Sequence, residues 1–249
     1  MSEEVLAGGN ASGTVVRLGE TVRKSWSEAT PSVTRFVRAL RAAGVDVPEP
    51  RGRDEQGRQV IEFVPGTPAI ERMPLDADEL RRVGSMIREI HDASAPYAPE
   101  ADAVWRTAIP APAAELVCHN DLAPWNLITG DRWVFIDWDA AAPSTRLWDL
   151  AYAAQAFALS GGERDPESAA RDLADIVDGY RADDVMRRDL PQAMEERTAA
   201  MLALLEGAHA TGDEPWASMY ANGHGDHWAK ALAFVREHRA LWARSLGGV

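Results

Sequence analysis

The 249-residue chain holds a single cysteine, Cys118, which excludes an internal disulfide framework. No apolar run approaches the roughly 18 residues that a membrane-spanning helix needs. Positive charge is scarce: 26 Lys and Arg face 39 Asp and Glu, for a net charge of −13. Nucleic acids and anionic membrane surfaces are gripped by basic patches, so neither is an expected partner. The same balance permits a cationic ligand without demonstrating one. Met1-Ser2-Glu3-Glu4 is acidic and lacks the apolar segment of a leader, so a cytoplasmic location is the expectation. Internal repeats and low-complexity tracts are also missing. What remains is 46% apolar and 26% charged residues, the make-up of a globular protein long enough for one large domain or two lobes.

The chemistry concentrates between Leu116 and Asp149. This stretch reads Leu-Val-Cys118-His119-Asn120-Asp121-Leu-Ala-Pro-Trp-Asn126, then Leu-Ile-Thr-Gly130-Asp131-Arg-Trp-Val-Phe-Ile-Asp137-Trp-Asp139, and closes on Arg146-Leu-Trp-Asp149. Gly130-Asp131 separates two short apolar runs and predicts a hairpin with a two-residue turn. That register pairs Thr129 with Arg132, sets Asn126 opposite Phe135 and brings Asp137 to the same open end. Asp121 is tethered close by. Two carboxylates and an amide oxygen then converge, a set of hard oxygen ligands and a candidate base suited to Mg²⁺ and a phosphoryl group. Cys118 beside His119 reads as a small buried hydrophobe rather than a nucleophile.

Protein kinases carry His-Arg-Asp, four residues, then Asn, with a later Asp on Mg²⁺. His119-Asn120-Asp121, Asn126 and Asp137 keep that spacing. The fuller string His-Asn-Asp-Leu-Ala-Pro-Trp-Asn with Ile-Asp-Trp-Asp resembles the aminoglycoside phosphotransferase family, which also includes choline and homoserine kinases. The resemblance is specific over residues 116–152. It implies an α+β, two-lobed kinase-like fold: a small antiparallel sheet lobe with one helix over 1–64, a larger mainly helical lobe over 65–249, and a hinge about 62–67. It also implies ATP and Mg²⁺ as cofactors, Asp121 as catalytic base, Asn126 and Asp137 as metal ligands, and supporting places for His119 and Asp149. Asp139 is read first as a supporting residue, ahead of a ligand of a second metal or a solvated charge.

Gly8, Gly9, Ser12 and Gly13 lie between β-type runs, where a loop could cover phosphates. Thr21 to Trp26 reads as a strand. By its alternation, Lys24 shares a face with Val22 and is preferred over Arg23 as the phosphate lysine. Thr30 as N-cap and Pro31 start a helix, with Val33, Phe36, Val37 and Leu40 as an apolar stripe facing a sheet. A kinase would place an acid here to pair with the lysine. Residues 31–43 contain none, and Glu28 is the nearest substitute. Arg58 to Val64 predicts a strand into the hinge, where main-chain groups about Glu62 and Val64 would meet an adenine.

Asp76 to Glu79 is a capping box for a helix ending near Ala93, and His91 at its end is assigned no chemistry. Helices are predicted over 146–159, 166–181, 187–208 and 226–246. His224, Asp226 and His227 look more like a turn and helix cap than metal ligands. The acceptor is expected to be a small hydroxyl compound, first an aminoglycoside or similar amino-sugar, then choline, homoserine or a specialised product. Residues 160–249 hold 16 acids and 10 bases, no more acidic than the chain at large. Asp178, Asp183, Asp184, Glu206, Asp213 and Glu214 are candidate contacts for a cationic acceptor. A non-catalytic nucleotide-binding relative is the competing reading, and a metallohydrolase built on His119 and Asp121 the third.

Overall fold

The computed structural model describes residues 3–6, 13–160 and 164–247. Gly8, Gly9 and Ser12 lie outside the described residues. The N-terminal part is a five-stranded antiparallel sheet of β1 (Glu4–Val5), β2 (Val16–Leu18), β3 (Thr21–Lys24), β4 (Pro50–Arg53) and β5 (Gln59–Glu62), in the order β1-β2-β3-β5-β4. Helix α1 (Thr30–Ala42) connects β3 to β4. Thr30 is the first helical residue rather than the cap. Its hydroxyl accepts from the Ser27 N–H at 2.9 Å, so it organises the preceding turn instead of the helix end. Val33, Phe36, Val37 and Leu40 are buried as the spacing requires. They face the helical part of the molecule more than the sheet, with the Phe36 ring against Tyr97, Trp105 and Trp138. Gly44, at φ 93°, turns the chain away where other residues would be strained.

The larger part is helical. It contains α2 (Ala77–Ser94), α3 (Arg146–Ala154, continued by a wider turn to Leu159), α4 (Pro166–Tyr180), α5 (Asp184–Thr211), α6 (Trp216–Met219), α7 (Gly225–Glu237) and α8 (Arg239–Ser245). Asp76 and Glu79 form the reciprocal capping box of α2. One helix was expected over 226–246. The chain instead breaks at His238, and Trp242 folds back so that its ring N–H donates to Val235 O at 3.0 Å. No helix among the described residues is long and apolar enough to cross a membrane.

Two glycines set the closest helix crossing. A Cβ on Gly84 would stand 2.0 Å from Ile176 O, and one on Gly179 would stand 2.0 Å from Arg81 O. Only bare backbone allows α2 and α4 to touch this way. The main core runs from α1 through α2 to α4 and α8, and a smaller cluster joins Ala123, Tyr152, Ala156, Met201, Leu205 and Trp228.

Short strands carry the motif residues. β7 (Leu116–Cys118) pairs with β10 (Ala142–Ser144), and β8 (Leu127–Thr129) pairs with β9 (Val134–Phe135) and with β6 (Thr67–Pro68). The β8–β9 register is Leu127 with Phe135 and Ile128 with Val134, one residue off the expected pairing of Thr129 with Arg132. Neither Gly130 nor Asp131 takes the positive φ a two-residue primed turn demands. Arg132 belongs to the loop, because its guanidinium reaches Asp46 at 2.5 Å and Glu62 at 2.5 Å. Asn126 consequently faces Ile136, whose N–H it receives at 2.8 Å.

Candidate active site

The loop from His119 to Asn126 is held on every side. Asn120 adopts φ 63°, a left-handed conformation that asparagine tolerates better than most residues. Its side chain donates to Ala140 O at 3.1 Å and Ala142 O at 3.2 Å. Its N–H donates to Asp149 Oδ1 at 2.8 Å. Asp149, on α3, is completely enclosed, and its Oδ2 lies 3.0 Å from His91 Nε2. His91 Nδ1 in turn lies 2.9 Å from the Tyr180 hydroxyl. His91 is therefore far from idle, contrary to its reading as a plain helix-end residue. It links α2, α3 and α4 to the loop.

His119 is buried under the loop. Its Nε2 lies 3.0 Å from Ile136 O, and its Nδ1 receives the Asp121 N–H at 3.2 Å. The ring rests on Trp138, with centroids 4.4 Å apart. Burial lowers its pKa. A neutral imidazole with its proton on Nε2 satisfies both bonds.

Asp121 accepts from Asn126 Nδ2 at 2.7 Å, and the same nitrogen lies 2.9 Å from Asp121 O. Tyr152 and Asp121 perturb each other's titration: burial raises the Tyr152 pKa well above the usual phenol range, and the nearby Asp121 charge adds to the rise. Burial pushes the Asp121 carboxyl up to about 7; Tyr152 and Asn126 pull it down, the like charge of Asp137 adds to the rise, and Arg197 opposes it. Arg197 comes from α5 and is nearly fully buried. Its guanidinium lies 4.5 Å over the Tyr152 ring, and one terminal nitrogen is 3.4 Å from Asn120 O. Desolvation lowers its pKa.

Asp137 adopts a left-handed conformation at φ 61° at the start of a short helical turn. Its Oδ1 binds Lys24 Nζ at 2.6 Å, and the same ammonium meets Asp139 Oδ2 at 2.9 Å. Burial alone would lower the Lys24 pKa; the two carboxylates outweigh it and raise it. Burial likewise raises Asp137, and Lys24 reverses that into a net lowering. Lys24 thus points at the motif, while Arg23 points away to Thr21 and Asp54. Glu28 is exposed and does not take the place of the missing helix acid.

The donor set suits a divalent cation. The nitrogen of the Asn126 amide is spent on Asp121, so its Oδ1 is left without a protein partner among the described residues, as is Asp137 Oδ2. Both are hard oxygens of the type Mg²⁺ takes. Where a hinge is expected, Glu62 N–H is already bonded to Glu49 O at 2.9 Å and its side chain to Arg132, whereas neither main-chain group of Val64 has a hydrogen-bond partner among the described residues.

Other candidates are not gathered there. Cys118 is buried, its thiol pushed up by burial, with Sγ 3.6 Å from Thr145 O. His224, Asp226 and His227 form no ligand cluster. Among the described residues, the metal-type atoms that gather within 4.8 Å belong to His91, Cys118 and Asp149, all buried and already committed to the loop and β7. Of the helix acids, Asp178 binds Arg187, Asp183 caps α5 and Glu214 binds Ser218, while Asp184, Glu206 and Asp213 are exposed. Sequence reasoning missed Tyr152 and Arg197, although both left signals. Tyr152 follows Asp149 by three on one helix face, and Arg197 interrupts the buried stripe Met194, Thr198, Met201 and Leu205.

A sheet lobe with one helix, its lysine reaching a helical lobe that presents His-Asn-Asp, Asn and Asp, is the kinase-like architecture. Solved structures share it. A choline/ethanolamine kinase family protein from Mesorhizobium loti aligns over 99% of this chain and 92% of its own at TM-score 0.66 and 17% identity. The amicoumacin kinase hAmiN, in complex with AMP-PNP, Ca²⁺ and Ami, aligns over 96% of this chain and 88% of its own at TM-score 0.69 and 15% identity. The chain belongs to the APH phosphotransferase enzyme family, whose pattern matches residues 3–107 and 95–188. The family is one of phosphotransferase enzymes. Among curated proteins, the trifolitoxin immunity protein of Rhizobium leguminosarum bv. trifolii is 29% identical over 161 residues, a match that spans 61% of each chain.

Proposed function

We propose that this protein transfers the γ-phosphoryl group of ATP, with Mg²⁺, to a hydroxyl of an amino-sugar or comparable antibiotic-like small molecule. The observation that carries the reading is the division of labour at Asn126: its nitrogen fixes Asp121 at 2.7 Å while its oxygen is left without a protein partner among the described residues. Asp121 accepts the proton of the acceptor hydroxyl as that oxygen bonds to the γ-phosphorus, and the bond to the bridging oxygen breaks to release ADP. Asn126 and Asp137 would hold Mg²⁺, which neutralises charge on the transferring group. Lys24 steadies the remaining phosphates, and His119 and Asp149 hold the loop.

The nucleotide lies between residues 1–64 and 65–249. Its adenine would meet the free main-chain groups at Val64, with Glu62 contributing through its carbonyl; Ser12, a further candidate for the phosphates, lies outside the described residues. Three similarities support such an acceptor: solved structures with this fold are named an amicoumacin kinase and a spectinomycin phosphotransferase, and the curated relative is named for immunity to a toxin. A choline-like acceptor is the second reading, favoured by the Mesorhizobium loti neighbour. Against an aromatic box for quaternary ammonium built on Tyr152 stands the coverage of that ring by Arg197 and by the stacked Trp228.

The test is acceptor-dependent ADP release with Mg·ATP across aminoglycosides and other antibiotics, amino-alcohols and hydroxy amino acids, with Asp121→Asn in parallel. A hit lost in the variant supports the reading and identifies the acceptor class. Mg·ATP binding with no turnover across the panel would favour a nucleotide-binding module instead.

A further inference from the structure

A kinase-type lysine needs a counter-ion that survives when the metal-binding aspartate is drawn elsewhere. Here the usual source is absent, since α1 carries no acidic residue in its first turn or beyond. We propose that Asp139, steadied by Gln59, is the permanent counter-ion of Lys24 and not a ligand of a second metal. The inference rests on the nucleotide and metal reading of Lys24 and Asp137 given above.

Three observations point the same way. Lys24 is 6% exposed and bound by two carboxylates. A buried ammonium is costly to leave unpaired, so one of the two must stay. Second, the two carboxylates are used differently. Asp139 has both oxygens engaged, Oδ2 by Lys24 at 2.9 Å and Oδ1 by Gln59 Nε2 at 3.4 Å, whereas Asp137 keeps Oδ2 free. Third, the brace is built into the sheet. Gln59 is the direct cross-strand partner of Lys24, so both side chains leave the same face. Gln59 is 7% exposed and its nitrogen is anchored on Ser25 O at 3.1 Å.

The spacing of the two acids is fixed as well. Trp138 stands between them in a short helical turn, its ring N–H on Phe135 O at 2.9 Å and its ring edge-to-face with Phe36. With the tryptophan pinned, both acids reach Lys24 from successive sides of one turn, and Asp139 also reaches Gln59. The acid missing from α1 has been moved to the position two residues after the metal-type aspartate. Asp139 is thus a positioning residue, acting through the lysine.

The experiment uses the full chain and four proteins: wild type, Asp139→Asn, Lys24→Met and the double variant, with Lys24→Gln as the alternative should Lys24→Met not fold. Thermal melting is measured without ligand, and ADP binding by calorimetry across a Mg²⁺ series. Asp139→Asn is expected to lower Tm by about 2–5 °C, with little further loss when added to Lys24→Met. Any rise in the Mg²⁺ concentration for half-maximal ADP binding should vanish when Asp139→Asn is added to Lys24→Met, since a residue acting through the lysine has nothing left to position. A rise of about ten-fold or more that persists in the Lys24→Met background would make Asp139 a metal ligand and overturn the proposal. Strictly additive melting shifts, or no shift at all, would overturn it too. If wild type binds no Mg·ADP the kinase reading itself fails, while the melting cycle still reads the pair.

Discussion

Replacing Asp149 with alanine should loosen the catalytic loop and the whole helical lobe together. The carboxylate is completely enclosed and serves two groups, the Asn120 N–H at 2.8 Å and His91 Nε2 at 3.0 Å. Water cannot replace it without entering the core. A buried polar group stripped of its partner costs about 1–3 kcal/mol, so two such groups cost about 2–6 kcal/mol together. For a chain of this length that corresponds to a fall in Tm of roughly 5–20 °C. Asp149→Asn should cost much less. Its oxygen still receives the Asn120 N–H, and its nitrogen can donate to His91 Nε2 if the ring proton shifts to Nδ1, facing Tyr180 Oη at 2.9 Å. The order of stability should be wild type, then Asn, then Ala, read by calorimetric melting. ADP release should fall in the same order, because Asn120 leads directly into Asp121. A melting point for Asp149→Ala within about 2 °C of wild type would refute the reasoning, since it would mean that neither bond matters.

Asp121→Asn should cut turnover by about 10²–10⁴-fold while nucleotide affinity by calorimetry holds, as expected of a lost base. A carboxylate accepts a proton only when ionised, and burial holds Asp121 up to about 7. The free-enzyme kcat/KM should therefore rise with pH to a plateau above about 7. In Tyr152→Phe, which removes a donor favouring the ionised form, that limb should move to higher pH; an unmoved limb would count against the contact. Gly84→Ala forces a Cβ to 2.0 Å from Ile176 O and should destabilise by about 1–3 kcal/mol or more in denaturant melts. Gly207→Ala, on α5 with nothing within 4 Å, should instead stabilise by about 0.5–1 kcal/mol.

What the sequence displayed well was local. The interval from Asp121 to Asn126 spans one tight turn, so composition and spacing suffice to place both ends. The capping box of Asp76 and Glu79 and the apolar stripe of α1 were legible for the same reason. The hairpin register failed by one residue because Gly130-Asp131 looks like a complete turn. Arg132 joins the loop only because Asp46 and Glu62, far away in sequence, hold its side chain. His91 was unreadable for a related reason. A histidine near a helix end has a local explanation, and its real partners, Asp149 and Tyr180, come from two other helices. Arg197 offered a hint as a charge within an apolar stripe, but its neighbours Tyr152 and Asn120 could be named only once α5 was seen against α3.

The brace from Tyr180 through His91 to Asp149 has a consequence for the order in which the molecule becomes competent. His91 and Tyr180 are 89 positions apart, and Lys24 and Asp137 are 113 apart. Contacts across such long loops form after local turns and hairpins, because closing the loop costs entropy before any contact rewards it. The stretch around Asp121 is therefore complete in sequence, and able to form its own turn, well before it is held in shape. A chain emerging from the ribosome carries the whole motif once residue 139 has been made, yet the helix that supplies Tyr180 has still to follow. Competence arrives with the docking of α4 on α2, at the glycine crossing, rather than with the synthesis of the motif.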